Sequence, residues 1–121
     1  MNIFKKIMRR PAIIVVSLWA RMAYNKGVRA AEQRHIADGG TIYLACDSFH
    51  PDRLVTYNKA QFKIEKRVYG MSARLLTINT LRNGCYYYTK NMQEINGMSE
   101  DDRKIRRKAF VKERLRMAGL I

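Results

Sequence analysis

The only cysteines and histidines of the chain are His35, Cys46, His50 and Cys85. Cys46-x3-His50 has the spacing of a ligand pair, and Cys85 falls in a segment that reads as a neighbouring strand. Zinc favours such sulfur and nitrogen donors. A closed site also needs a second close pair, and none exists, because His35 stands alone before a glycine turn. These residues therefore read as two strand cysteines and two ordinary histidines, with no metal site and no cofactor. A Cys46–Cys85 disulfide would suit neighbouring strands, but no clear secretory signal accompanies it. Ser48, His50 and Asp52 alternate within one turn. That spacing does not give a nucleophile, a base and an orienting carboxylate in one constellation. Gly39-Gly40 lacks the Lys-Ser/Thr that completes a phosphate-cradling loop. No catalytic residue is assigned, and the chain reads as non-enzymatic.

Aromatic and cationic residues say more. Tyr86, Tyr87 and Tyr88 are consecutive. On a strand, Tyr86 and Tyr88 would share one face and Tyr87 would point to the other. If their face is open, the rings of Tyr86 and Tyr88 can stack on unpaired bases. The alternative is a half-buried strand with phenolic hydroxyls at its rim. Near the C-terminus, Arg103, Lys104, Arg106, Arg107, Lys108, Lys112, Arg114 and Arg116 follow within 14 residues. At 100° per residue they surround most of a helix, leaving Ile105, Ala109, Val111, Leu115 and Ala118 a narrow contact seam. At the other end, Lys5, Lys6, Arg9 and Arg10 fill the gaps between Ile3, Phe4, Ile7 and Met8, the pattern of an amphipathic surface helix. These twelve cations are the expected contacts to nucleic acid or to an acidic partner.

Pro11 disfavours helix at Arg10 but suits the first turn of a new helix. The apolar run Pro11–Ala20 is only ten residues long and Arg21 closes it. The pattern then continues as one helix to about Ala37, with Ile14, Leu18, Trp19 and Met22 placed to pack on a partner helix. A positive start before a short apolar run also resembles a signal peptide or membrane anchor, but no small-x-small cleavage site follows. Asp38-Gly39-Gly40 is a helix stop. Thr41–Cys46 and Arg53–Tyr57 read as antiparallel strands around turn material at 47–52. Asn58 and Gln61 form a capping box for a helix ending at Gly70, with Phe62 and Val68 toward the core. Ser72 caps a short helix through Leu75, Ile78 and Leu81. Asn83-Gly84 marks a turn, and Cys85–Thr89 is a third strand. Ser99 with Asp102 starts a helix that runs to Ala118 and stops at Gly119.

The expected fold is α+β: a long N-terminal helix, a small three-stranded, mainly antiparallel sheet with short packed helices, and a basic C-terminal helix. The expected division is a basic, apolar helical arm at 1–37, a small α+β core at 38–98 and the basic helix at 99–121. A chain of 121 residues suits one such domain. With 24 Lys+Arg against 10 Asp+Glu, the net charge is +14. Residues 1–34 and 99–121 supply most of it. Excess charge of this size repels itself in the compact state, so a polyanion is the natural counterpart. No run of 18 uncharged apolar residues is present, which disfavours a spanning helix.

Several segments resemble a family of small basic proteins encoded by Bacteroidetes bacteria and their crAss-like phages. They are Ala31-Glu32-Gln33-Arg34-His35 before a glycine turn, Thr41-Ile42-Tyr43-Leu44, Leu54-Val55-Thr56-Tyr57-Asn58-Lys59 with Phe62, and Tyr86-Tyr87-Tyr88-Thr89 with the basic terminal helix. The apolar Ala12–Trp19 segment departs from the more polar start of that family. No catalytic set comes with the resemblance; what it implies is a phage or bacterial setting. The leading expectation is a non-enzymatic structural or assembly protein of a larger nucleic-acid-containing complex, a phage virion or head component, with other protein subunits as partners and DNA or RNA nearby. It would reside in the phage particle or the bacterial cytoplasm. The alternatives are a free-standing nucleic-acid-binding protein and a membrane-associated protein anchored through residues 1–24.

Overall fold

A computed structural model describes residues 3–47, 53–62, 78–90 and 98–121. The fold is α+β, as the sequence implies. Helix α1 spans Ile3–Asp38, β1 Tyr43–Cys46, β2 Leu54–Tyr57, α2 Ile78–Gly84, β3 Tyr87–Tyr88 and α3 Glu100–Met117. The sheet order is β2-β1-β3, antiparallel throughout.

Helix α1 runs 36 residues without interruption, about 54 Å at 1.5 Å per residue. The expected break at Arg10 is absent, because Pro11 lies inside the helix. A proline removes one amide donor and crowds the preceding turn, and eight preceding helical residues are carried through it nonetheless. At its other end the Gly39 amide bonds the His35 carbonyl at 2.7 Å with φ 75°, the left-handed stop that glycine permits. Helix α3 starts where Ser99 accepts from the Asp102 amide at 3.1 Å. It ends in a Schellman motif, with Leu120 bonded to the Leu115 carbonyl at 2.9 Å and Gly119 at φ 72°. The Asn58 capping box also forms, Gln61 N to Asn58 Oδ1 at 2.8 Å and Asn58 N to Gln61 Oε1 at 3.1 Å. Residues 59–62 are helical and Phe62 is half-buried. The expected continuation through Val68 to Gly70, the Ser72 cap and Leu75 lie outside the described residues.

Leu44 pairs with Thr56 and Tyr87, and this face of the sheet meets α1. Gly27 lets the two approach: a Cβ there would stand 3.0 Å from both Leu44 methyls. Arg34 of α1 donates to the Thr56 carbonyl at 2.8 Å, to Thr56 Oγ1 at 3.1 Å and to Gln61. The Tyr87 hydroxyl donates to Glu32 Oε1 at 2.5 Å. On the opposite face Tyr43 stands between Tyr57 and Tyr88 across the strands.

The two terminal helices, expected as arms around a separate core, pack directly on each other, and a buried cluster of Ala20, Tyr24 and Phe110 lies between them. Arg9 Nε donates to the Leu120 carbonyl at 2.9 Å, joining the two ends of this pair. The α3 seam differs from expectation. Phe110 is its one buried residue, while Ile105 and Ala109 are exposed and Val111 and Leu115 half-buried.

Candidate functional site

The twelve expected contact cations divide by what holds them. Arg103 pairs with Glu100 at 2.7 Å, Arg106 with Asp102 at 3.0 Å and Arg116 with Glu113 at 2.8 Å. Arg106 also donates from Nη1 to the Arg82 and Cys85 carbonyls at 2.8 and 2.7 Å, so it fastens α3 to the end of α2 and the residues before β3. Arg114 lies 5.6 Å from the Phe110 ring centroid. Arg9 is committed to the Leu120 carbonyl. These five each have a partner within the chain. Arg10, Lys104, Arg107, Lys108 and Lys112 have no ion-pair partner among the described residues. Lys5 and Lys6 belong to the first turns of α1, and their side chains are outside the described part.

Three of the unpaired cations converge. Arg107, Lys108 and Lys112 of α3 and Arg21 of α1 line a groove of about 220 Å³ whose floor is Val111 and Leu115. Sequence reasoning did not single out Arg21. Its signal was its position as the cation that ends the apolar run of α1, but only the antiparallel approach of α3 brings it to the other three.

The other face of α1 is apolar and open. Ile14, Leu18, Trp19 and Met22, the expected partner-helix residues, are 68%, 55%, 67% and 60% exposed, and Val15 joins them. Their spacing puts them on one ridge of the helix. More than two fifths of each of these side chains stays open to solvent. Beside the ridge, Val16, Trp19, Ala20 and Ala23 of α1 and Arg114, Met117 and Ala118 of α3 enclose a second groove of about 470 Å³. Its small alanines leave room for a large side chain. Trp19 and Arg21, two residues apart, stand on different flanks of α1, so the apolar and cationic grooves open on different sides of the ridge.

Tyr86 and Tyr88 are half-buried, the alternative to an open stacking face, and have separate surroundings. β3 is only Tyr87–Tyr88, so the strand alternation does not reach Tyr86. The Tyr86 ring meets Phe110 edge-on at 5.2 Å, and its carbonyl accepts from the Tyr24 hydroxyl at 2.7 Å. The Tyr88 ring lies under two guanidiniums, Arg82 at 4.7 Å and Arg106 at 5.2 Å. Both rings thus have their contacts inside the chain.

Cys46 and Cys85 are free thiols and form no disulfide. Burial pushes both thiols up, and for Cys85 this outweighs the Arg106 guanidinium 3.6 Å from its sulfur. A raised thiol is a poor source of thiolate. His35 Nδ1 is 2.7 Å from the Gly40 carbonyl, a local contact at the helix stop. Among the described residues no three His, Cys, Asp or Glu side chains cluster as metal ligands. Ser48, His50 and Asp52 lie outside them. No described helix is long and apolar enough to cross a membrane. Against protein-family models, curated proteins and solved structures alike, the chain has no match.

Proposed function

We propose that this chain is a non-enzymatic structural or assembly component of a larger nucleic-acid-containing complex. In the phage setting that its sequence resemblance implies, it is a virion or head component, found in the particle or in the bacterial cytoplasm. The observation that carries the reading is the exposed ridge Ile14, Val15, Leu18, Trp19 and Met22. Single exposed apolar residues need no explanation, but a contiguous row of five that includes a tryptophan marks an interaction surface. Burying it would recover roughly 25 cal/mol per Å² of apolar area. Tryptophan is also among the residues that most often dominate binding energy. The ridge suits a helix of another subunit, and Ala20, Ala23 and Ala118 beside it admit a close approach.

Native mass spectrometry of the chain isolated from its own cells or particles tests this. The expected result is a stoichiometric complex that Leu18→Ser/Trp19→Ser releases as folded monomer, because both side chains are exposed. A monodisperse wild-type monomer in cells overturns it. Salt-sensitive nucleic-acid binding by that lone monomer would establish the free-standing binder instead. Liposome flotation lost on deleting residues 1–20 would establish the membrane-associated protein.

A further inference from the structure

We propose that the groove of Arg21, Arg107, Lys108 and Lys112 seats the phosphodiester backbone of a nucleic acid, bound through its phosphates and not through its bases. This deepens the preceding reading by naming the nucleic-acid contact, and it does not depend on what covers the α1 ridge.

Three features carry it. First, four cations from two helices line one groove, and none has a carboxylate partner among the described residues. This is a selective arrangement, since other cations of α3 are paired within their own helix at i,i+3 or i,i+4. The acids of α3 are Glu100, Asp101, Asp102 and Glu113, and none lines the groove. Like charges held together in this way are relieved by an anion that several can share.

Second, the charge repeats. Lys108 and Lys112 are one helical turn apart, about 6 Å along the axis, and Lys104 extends the same row by another turn. All three are exposed. That interval is of the order of the separation between successive phosphates of one strand. Arg107 and Arg21 add guanidinium forks, the geometry that matches phosphate oxygens in pairs.

Third, among the described residues the groove holds no ring on which a base could stack. Its remaining described lining is Val111 and Leu115, which bring neither a carboxylate nor a neutral hydrogen-bonding side chain. Tyr86 and Tyr88, the rings nearest in character to stacking platforms, face Phe110 and two guanidiniums instead. A surface supplying only charge and hydrocarbon suits a polymer of repeating charge, recognised without regard to sequence.

The experiment is a fluorescence-anisotropy titration of the full chain against a labelled 20-base-pair DNA duplex of mixed sequence, at several salt concentrations. Four phosphate contacts predict a slope of log K against log salt of roughly −4. Lys108→Gln/Lys112→Gln should reduce its magnitude by about 2 and weaken low-salt binding about tenfold. Arg21→Gln should reduce it by about 1. Lys26→Gln/Arg29→Gln, exposed cations of α1 outside the groove, should leave the slope in place, and a duplex of scrambled sequence should bind equally. The proposal is overturned if the wild type shows no salt-sensitive binding, if the groove variants keep the wild-type slope, or if the Lys26/Arg29 pair loses as much. It is also overturned if poly-glutamate at equal charge displaces the duplex as well as unlabelled duplex does, which would make the groove a seat for acidic protein. Leu18→Ser/Trp19→Ser should bind the duplex with the wild-type slope. Loss of assembly with intact DNA binding, or the reverse, therefore separates a failure of the subunit reading from a failure of this one.

Discussion

Tyr24 is fully buried in the middle of α1, and its hydroxyl has a fixed acceptor in the Tyr86 carbonyl at 2.7 Å. Burial pushes the phenol up to about 12, against the opposing pull of Arg103, Arg106 and Arg107. Its folded-state value exceeds the unfolded value of 10, so the stability this group contributes is complete below pH 10 and is lost as pH rises toward 12. A rise of that size corresponds to roughly 3 kcal/mol. Tyr24→Phe separates this loss from lysine titration. At pH 7 the variant should be less stable by about 1 kcal/mol through the lost hydrogen bond, and that deficit should shrink or reverse between pH 10 and 12 in urea titrations. Phe110, which the sequence seam omitted, should matter more. Phe110→Ala removes the ring packed at 6.0 Å from Tyr24 and 5.2 Å from Tyr86, for an expected loss of about 3–5 kcal/mol in the same measurement.

At the scale of elements, the close contact of α1 with the sheet depends on one missing side chain. Gly27→Val would drive its branches into Leu44, whose methyls already stand 3.0 Å from an ideal Cβ. The expected cost is about 1–3 kcal/mol in chemical denaturation, with helix content kept. Element boundaries were legible wherever the signal is local. Ser99, the Asn58–Gln61 box, Gly39 and Gly119 each act within four residues of themselves, and each forms as read. What depends on long-range packing was not legible. Pro11 looked like a break because a proline's cost is local, whereas the continuity of α1 is a property of the whole helix. The α3 seam was misplaced because the half-buried residues flanking Phe110 on its face include Arg103, Arg106, Arg107 and Arg114, and arginine stems pack on apolar surface while their charges find carbonyls and carboxylates. Of the candidate site, the cations were visible and their division into paired and unpaired groups was not. That division is set by the positions of Glu100, Asp102 and Glu113 within α3, and the groove by Arg21 on a helix far away in sequence.

At the scale of the whole molecule, a net charge of +14 acts on a fold whose two most basic helices are packed side by side. Their mutual repulsion is screened by salt within a Debye length of about 10 Å at 0.1 M. Raising sodium chloride from 50 to 500 mM should therefore raise the melting temperature, and sulfate should do so at lower concentration. A fall with salt would mean that the i,i+3 and i,i+4 ion pairs of α3 outweigh the repulsion. The bond from Arg9 to the Leu120 carbonyl spans 111 positions of chain, and this separation has a temporal meaning. At 5–20 residues per second, a ribosome needs about 6–22 s to pass from one to the other. Throughout that interval a nascent α1 carries Ala20 and Tyr24 without the helix that will cover them, and neighbouring nascent chains on one message offer the same bare surface. Residues 1–31 contain no acid, so two such segments meet as polycations and are driven apart. The charge that burdens the finished fold thus guards the unfinished one against premature pairing with its own kind.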